Sequence, residues 1–156
     1  MALVKSTLSE SMSAMIDTEH PSHKGHPENN VDAAKNWANA ICDYAATVTP
    51  VATPIAVEAA KAAFEAAVFG LITSQTFIVG IPAAFTTYAA ALGAGMSPSF
   101  VATPPPTPIV LDAAWAIGLA GGKDSEIAKT LTTIIDTWFR TGTATPSVGG
   151  APVLWS

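Results

Sequence analysis

The residues in this chain whose types and spacing come nearest to chemistry are three histidines. His20, His23 and His26 fall within the run His20-Pro21-Ser22-His23-Lys24-Gly25-His26, flanked by Glu19 and Glu28. Neutral imidazole nitrogens bind zinc or nickel, so these three are the candidate metal ligands. Two features weigh against them. No second ligand pair stands elsewhere at the spacing of a closed structural site, and Lys24 puts a positive charge among the nitrogens. A solvated polar loop accounts for the same residues, and the expectation is no metal and no cofactor.

Other chemistries have less support. Serines are many, but none lies in Gly-x-Ser-x-Gly, and all the histidines lie in the one loop. Cys42 lacks the basic neighbour or helix-start position that would lower its pKa. As the only cysteine it makes no intrachain disulfide, and it falls where a small buried hydrophobe is expected. Asp124 and Glu126 sit at a predicted helix N-terminus, where the macrodipole explains two acids without catalysis. Gly121-Gly122-Lys123-Asp124-Ser125 lacks the Gly-x-x-x-x-Gly-Lys spacing of a phosphate loop and reads as a turn between helices. The expectation is that the chain is not an enzyme and has no catalytic residues.

Composition narrows the classes further. Of 156 residues only 12% are charged, about half the usual share, while 49% are hydrophobic, much of that alanine. Such a surface is weakly defended against association, so a homo-oligomer or an assembly with partners is expected. A net charge of −5 and a single arginine, Arg140, exclude a nucleic-acid partner, which needs clustered Lys and Arg. The start of the sequence has no apolar stretch of signal-peptide length. Between Glu65 and Asp112 there is no charge at all, yet Gly80, Pro82, Thr86, Thr87 and Gly93 interrupt the apolar run, and neither Lys nor Arg flanks it. The expectation is no membrane span, with a lipid-associated helical protein using the uncharged segment 66–111 as the alternative.

The elements that must position all this are helices. Thr53-Pro54-Ile55-Ala56-Val57-Glu58-Ala59-Ala60 recurs as Thr107-Pro108-Ile109-Val110-Leu111-Asp112-Ala113-Ala114. Each copy offers Thr as N-cap, Pro at the first helical position and an acid soon after, so each is expected to start a helix. The remaining helices are expected over Ser6 to Ile16 with a Thr7–Glu10 capping box, from an Asn30 cap to about Ala46, over Pro82 to Leu92, and from a Ser125 cap through Arg140. Leu111, Trp115 and Leu119 are expected to share a buried face, and Lys61 and Glu65 to pair at i,i+4. Pro104-Pro105-Pro106 marks a stiff extended connector.

This gives an all-α fold. About six helices form three helix–loop–helix units in a bundle over 1–140, the units running roughly 3–54, 55–108 and 109–152. Thr47-Val48-Thr49-Pro50, Val101-Ala102-Thr103-Pro104 and Thr143-Ala144-Thr145-Pro146 close the units. Residues 141–156 form an extended C-terminal arm. On it Val153, Leu154 and Trp155 are the candidate partner interface, because an apolar tip on a Gly/Pro-rich arm needs a pocket, on its own domain or on a neighbour.

The start Met-Ala-Leu-x-Lys-x-x-Leu, followed by Trp37-Ala38-x-x-Ile41-x-x-Tyr44 and Ala45-Ala46-Thr47-Val48-Thr49-Pro50, resembles small Ala-rich virion proteins of tailed bacteriophages, of the tail and baseplate region. The resemblance carries no catalytic residues. It implies a non-enzymatic structural component of a virion, in the tail, baseplate or neck, assembled in the host cytoplasm and packed against itself and other virion proteins. A metal- or ligand-binding module using the His20–His26 loop is a second alternative.

Overall fold

In a computed structural model the structure describes residues 2–23 and 25–156. Lys24, read above as a charge among the imidazoles, lies outside the described residues, as does Met1. The described residues form six helices, α1 Lys5–Ile16, α2 Asn30–Ala45, α3 Pro54–Thr73, α4 Phe77–Ala94, α5 Asp112–Leu119 and α6 Asp124–Phe139. Three short strands complete the fold: β1 Phe100–Thr103, β2 Thr143–Pro146 and β3 Val153–Leu154. The fold is all-α with about six helices, and it carries a small antiparallel sheet in the order β1-β2-β3.

Helix starts follow local chemistry where tertiary packing leaves them free. Thr53 caps α3 with Pro54 behind it, its hydroxyl accepting from the Ala56 N–H at 3.4 Å. Asn29, not Asn30, caps α2, accepting from the Asp32 N–H at 3.0 Å. The Thr7–Glu10 capping box does not form. α1 starts at Lys5 behind Val4, and the Glu10 carboxylate instead accepts from the Ser22 hydroxyl at 3.0 Å. Ser125 does not cap α6, which starts one residue ahead of it at Asp124. Lys61 pairs with Asp43 on α2 at 3.0 Å rather than with Glu65 on its own helix.

Two larger expectations fail for a common reason, tertiary contacts overriding local signals. α4 starts at Phe77 and carries Pro82 inside it. Phe77 packs against Trp37 and Trp115, with ring centroids 5.1 and 6.1 Å away, and this holds a first turn ahead of the proline. The second Thr-Pro-Ile copy does not start a helix. Ile109 and Leu111 are both buried around an exposed Val110, the alternation of extended chain. The Thr107 carbonyl accepts the Trp138 indole N–H at 2.7 Å. α5 therefore begins only at Asp112. Equivalent isoleucines meet opposite fates: Ile55 is 85% exposed and Ile109 2%. Leu119 is exposed as well, off the face it was expected to share with Leu111 and Trp115.

The α5–α6 connection is a turn, as its glycines suggest. The Gly122 N–H reaches the Ile117 carbonyl at 2.8 Å and the Gly121 N–H the Gly118 carbonyl at 3.1 Å, with Gly121 at φ +74°. That is the paired Schellman closure, which needs a residue in the left-handed region.

By chain order the helices run in pairs, but packing crosses the unit boundaries. α2 lies on α3, α3 on α4, α5 on α6, and α1 packs chiefly on α6, joining the beginning of the described chain to its last helix. Aromatic rings fill the interior where α2, α3, α4 and α6 meet. Phe64 contacts Phe85 and Tyr88 with centroids 5.4 and 5.3 Å away, and Phe139 contacts Tyr44, Phe85 and Tyr88 at 5.9, 6.4 and 6.2 Å. Among slim Ala-rich helices these edge-to-face and tilted rings add large side chains to the core, beside buried Leu8, Ile41, Ile81 and Leu92.

The closures gather in one place. β1 and β2 are the second and third Thr/Pro segments, paired with Val101 opposite Thr145 and Thr103 opposite Thr143. β3 pairs beyond β2, with Ala144 opposite Val153. Thr49, from the first closure, exchanges both backbone hydrogen bonds with Ser156, at 2.9 and 3.2 Å. Reciprocal bonding of this kind is an antiparallel hydrogen-bonded pair. The last residues thus lie between closure three and closure one.

Candidate functional site

Of the expected interface residues, Trp155 is buried in its own chain and Val153 and Leu154 are exposed beside it. The indole lies against two glycines. A Cβ placed on Gly142 would stand 2.6 Å from Trp155 Cδ2, and one on Gly93 would stand 3.4 Å from Cζ2. Trp155 donates its backbone N–H to the Gly142 carbonyl at 2.8 Å and its indole N–H to the Thr143 carbonyl at 3.1 Å. Glycines on α4 and after α6 therefore shape the groove, and the Gly142 and Thr143 carbonyls, at and just ahead of the start of β2, are its acceptors. The segment leading in, Ser147 to Pro152, is exposed throughout, with Gly149 and Gly150 at φ +92° and +150°.

Around this arm the sheet turns an uncharged face outward. Val101 and Thr103 of β1, Thr143 and Thr145 of β2 and Leu154 of β3 share it by register. Val101 and Leu154 are largely exposed. Between α3 and α4 runs a shallow groove of about 450 Å³ lined largely by alanines, among them Ala56, Ala60, Ala63 and Ala91.

A buried polar cluster that the sequence reading passed over ties the two ends of the fold together. Asp136, nearly buried on α6, accepts from the Tyr44 hydroxyl at 2.7 Å and from Arg140 Nε at 3.1 Å to each carboxylate oxygen. Arg140 also donates to the Leu3 carbonyl at 2.7 Å. Burial, and then the Asp136 bond and charge, raise the Tyr44 pKa well above its ordinary value. The Asp136 bond likewise raises that of Arg140. Every partner inside the cluster is another member or the backbone, so it staples α2, α6 and the segment around Leu3 ahead of α1 rather than offering groups to a substrate. The i,i+4 spacing of Asp136 and the only arginine was the available signal.

The histidines do not converge. His23 bonds the Ala14 carbonyl at 3.1 Å through Nδ1, while His20 Nδ1 accepts from the Ser22 N–H at 3.2 Å and its Nε2 lies 3.6 Å from Glu10. His26 meets His23 edge to face with centroids 5.9 Å apart. Among the described residues no three His, Cys, Asp or Glu side chains stand together as a metal site. Next to this loop, between α1 and α2, lies an open cleft of about 380 Å³ with Glu10, Asn36, Asn39 and Asp43 on its walls. Both of its carboxylates are engaged, Glu10 by Ser22 and His20, Asp43 by Lys61.

Cys42 is fully buried. Burial pushes its thiol up to about 12, outweighing the lowering effects of the Tyr88 hydroxyl and of Lys61. α4 is the one described helix long and apolar enough to cross a membrane. Its Ile81, Phe85, Tyr88 and Leu92 are buried in the core, and Ile78 and Val79 near its start are exposed.

Comparison with protein-family models, with curated proteins and with solved structures finds no match.

Proposed function

We propose that this chain is a non-enzymatic structural component of a bacteriophage virion, in its tail, baseplate or neck, acting by packing against itself and other virion proteins. The observation that carries the reading is the uncharged outer face of the sheet, where Val101, Thr103 and Leu154 stand in solvent without a charged neighbour in register. Faces of this kind are covered in assemblies, because exposed apolar and β-branched surface without charge favours association. The low overall charge supports the same role. So does the resemblance in the Trp37 to Pro50 stretch. The engagement of Tyr44, Asp136 and Arg140 with one another, and the burial of Cys42, fit a structural role for these groups.

The test is protein mass spectrometry of density-purified particles from the lysate in which the chain is made. The chain is expected to co-purify with tail and capsid proteins at a fixed ratio across the particle peak. Its presence only in the soluble fraction would sink the reading.

A further inference from the structure

We propose that the Val153–Ser156 arm exchanges between two copies of this chain, each copy's Trp155 filling the groove of the other. The proposal rests on the self-packing part of the reading above and names the partner, a second copy. The groove is built for one occupant. Gly142 and Gly93 leave room for an indole, the Gly142 and Thr143 carbonyls take its two N–H groups, and Thr49 takes both backbone groups of Ser156. A second copy carries that occupant unchanged, so the exchanged form keeps every one of these contacts. Closed and exchanged states then differ only in the hinge and in concentration, which makes exchange a low-cost route to a dimer.

The hinge is suited to opening. Ser147 is anchored by its N–H to the Ser99 carbonyl and by its hydroxyl to the Pro98 carbonyl. Beyond it, Val148 is 98% exposed and residues 149–152 are all exposed. The turn back to β2 depends on Gly149 and Gly150 in positive-φ conformations, which glycine leaves as readily as it enters. Straightened, the five residues from Val148 to Pro152 span about 17 Å, which carries the arm away from its own groove. An arm that leaves its groove uncovers Gly142 and the β2 edge, and a second arm restores both.

The experiment uses the full chain carrying Thr49→Cys and Ser156→Cys. An antiparallel hydrogen-bonded pair has Cα atoms about 5.5 Å apart, within disulfide reach. Cys42 is buried and does not compete. Tagged and untagged copies are mixed, oxidised over a range of concentrations and separated on non-reducing gels. Covalent dimers, including tagged–untagged ones, are expected to rise with concentration and to disappear when Trp155→Ala is added. Intrachain disulfides alone at every concentration, no disulfide at all, or dimers that persist with Trp155→Ala would overturn the proposal. A second variant with native side chains, lacking only Gly149 and Gly150, is expected to shift from monomer to dimer mass in light scattering, and an unchanged monomer mass counts equally against exchange. Self-association without interchain disulfides removes exchange but leaves the virion reading standing. Interchain dimers in a chain missing from particles do the reverse.

Discussion

At the scale of single residues, Trp155 and Gly142 are two halves of one contact. Truncating a buried tryptophan forfeits its transfer energy and leaves a cavity, so Trp155→Ala is expected to cost about 3–5 kcal/mol in a urea titration. Gly142→Ala attacks the same contact from the other side, because its new methyl would stand 2.6 Å from the indole. It is expected to lower the urea midpoint and to red-shift tryptophan emission as Trp155 is expelled. A midpoint unchanged in both variants would mean that the arm contributes nothing to the fold. Cys42 makes a separate prediction about pH. Its thiol is raised from 9.0 to about 12 by burial, so the folded state prefers the protonated form. That contribution is fully present below the unfolded value near 9.0 and is lost as pH rises toward about 12. Native protein at pH 8 to 9 is therefore expected to resist a thiol reagent such as DTNB, roughly the unperturbed thiol range, and to react at once in denaturant. Prompt labelling of native protein would show that the thiol is not held as described.

At the scale of elements, the Thr-Pro-Ile repeat separates local signal from tertiary outcome. Thr53 acts through its hydroxyl as a cap, so Thr53→Ala is expected to cost about 0.5–1 kcal/mol, at the low end for a cap because the bond is long. Thr107 acts through its backbone carbonyl, which alanine also has, so Thr107→Ala is expected to stay within about 0.5 kcal/mol. Thermal melts of the two variants decide it, and equal losses would contradict the difference in role. The same contrast explains what was legible. The existence of all six helices could be read from apolar stripes, closing glycines and the Thr53 cap, because those signals act within a few residues, although most of the other expected caps did not form. The start of α4 could not, since it depends on Phe77 meeting Trp37 and Trp115 from distant elements. The sheet was hidden for the same reason. Its segments were visible as repeated Thr/Pro closures, but only long-range pairing makes Val101 the neighbour of Thr145 and Thr49 the neighbour of Ser156. The arm's apolar tip was visible too. Its cis groove was not, because Gly93 and Gly142 look like ordinary helix-end glycines until an indole lies on them.

At the scale of the whole molecule, the uncharged segment poses the choice between a packed helix and a lipid-bound one. α4 satisfies a membrane helix by length and composition, but its inner face is already spent on the core. Phe85 packs on Phe64, Trp138 and Phe139, and Tyr88 on Phe64 and Phe139. Each such ring pair is worth about 0.5–1.5 kcal/mol beyond its buried area, and lipid tails offer no equivalent. Insertion would also pull Gly93 from beneath Trp155 and so dismantle the arm that joins the closures. The large apolar residues that α4 leaves exposed are Ile78 and Val79 at its start, with only alanines and threonines exposed beyond them, and neither Lys nor Arg flanks the helix. Purified protein mixed with phosphatidylcholine and anionic vesicles is therefore expected to stay at the bottom of a flotation gradient, with its light-scattering mass unchanged by lipid. Co-flotation with either vesicle would favour the lipid-associated alternative and would mean that α4 leaves the aromatic core, detectable as loss of near-ultraviolet circular dichroism from those rings.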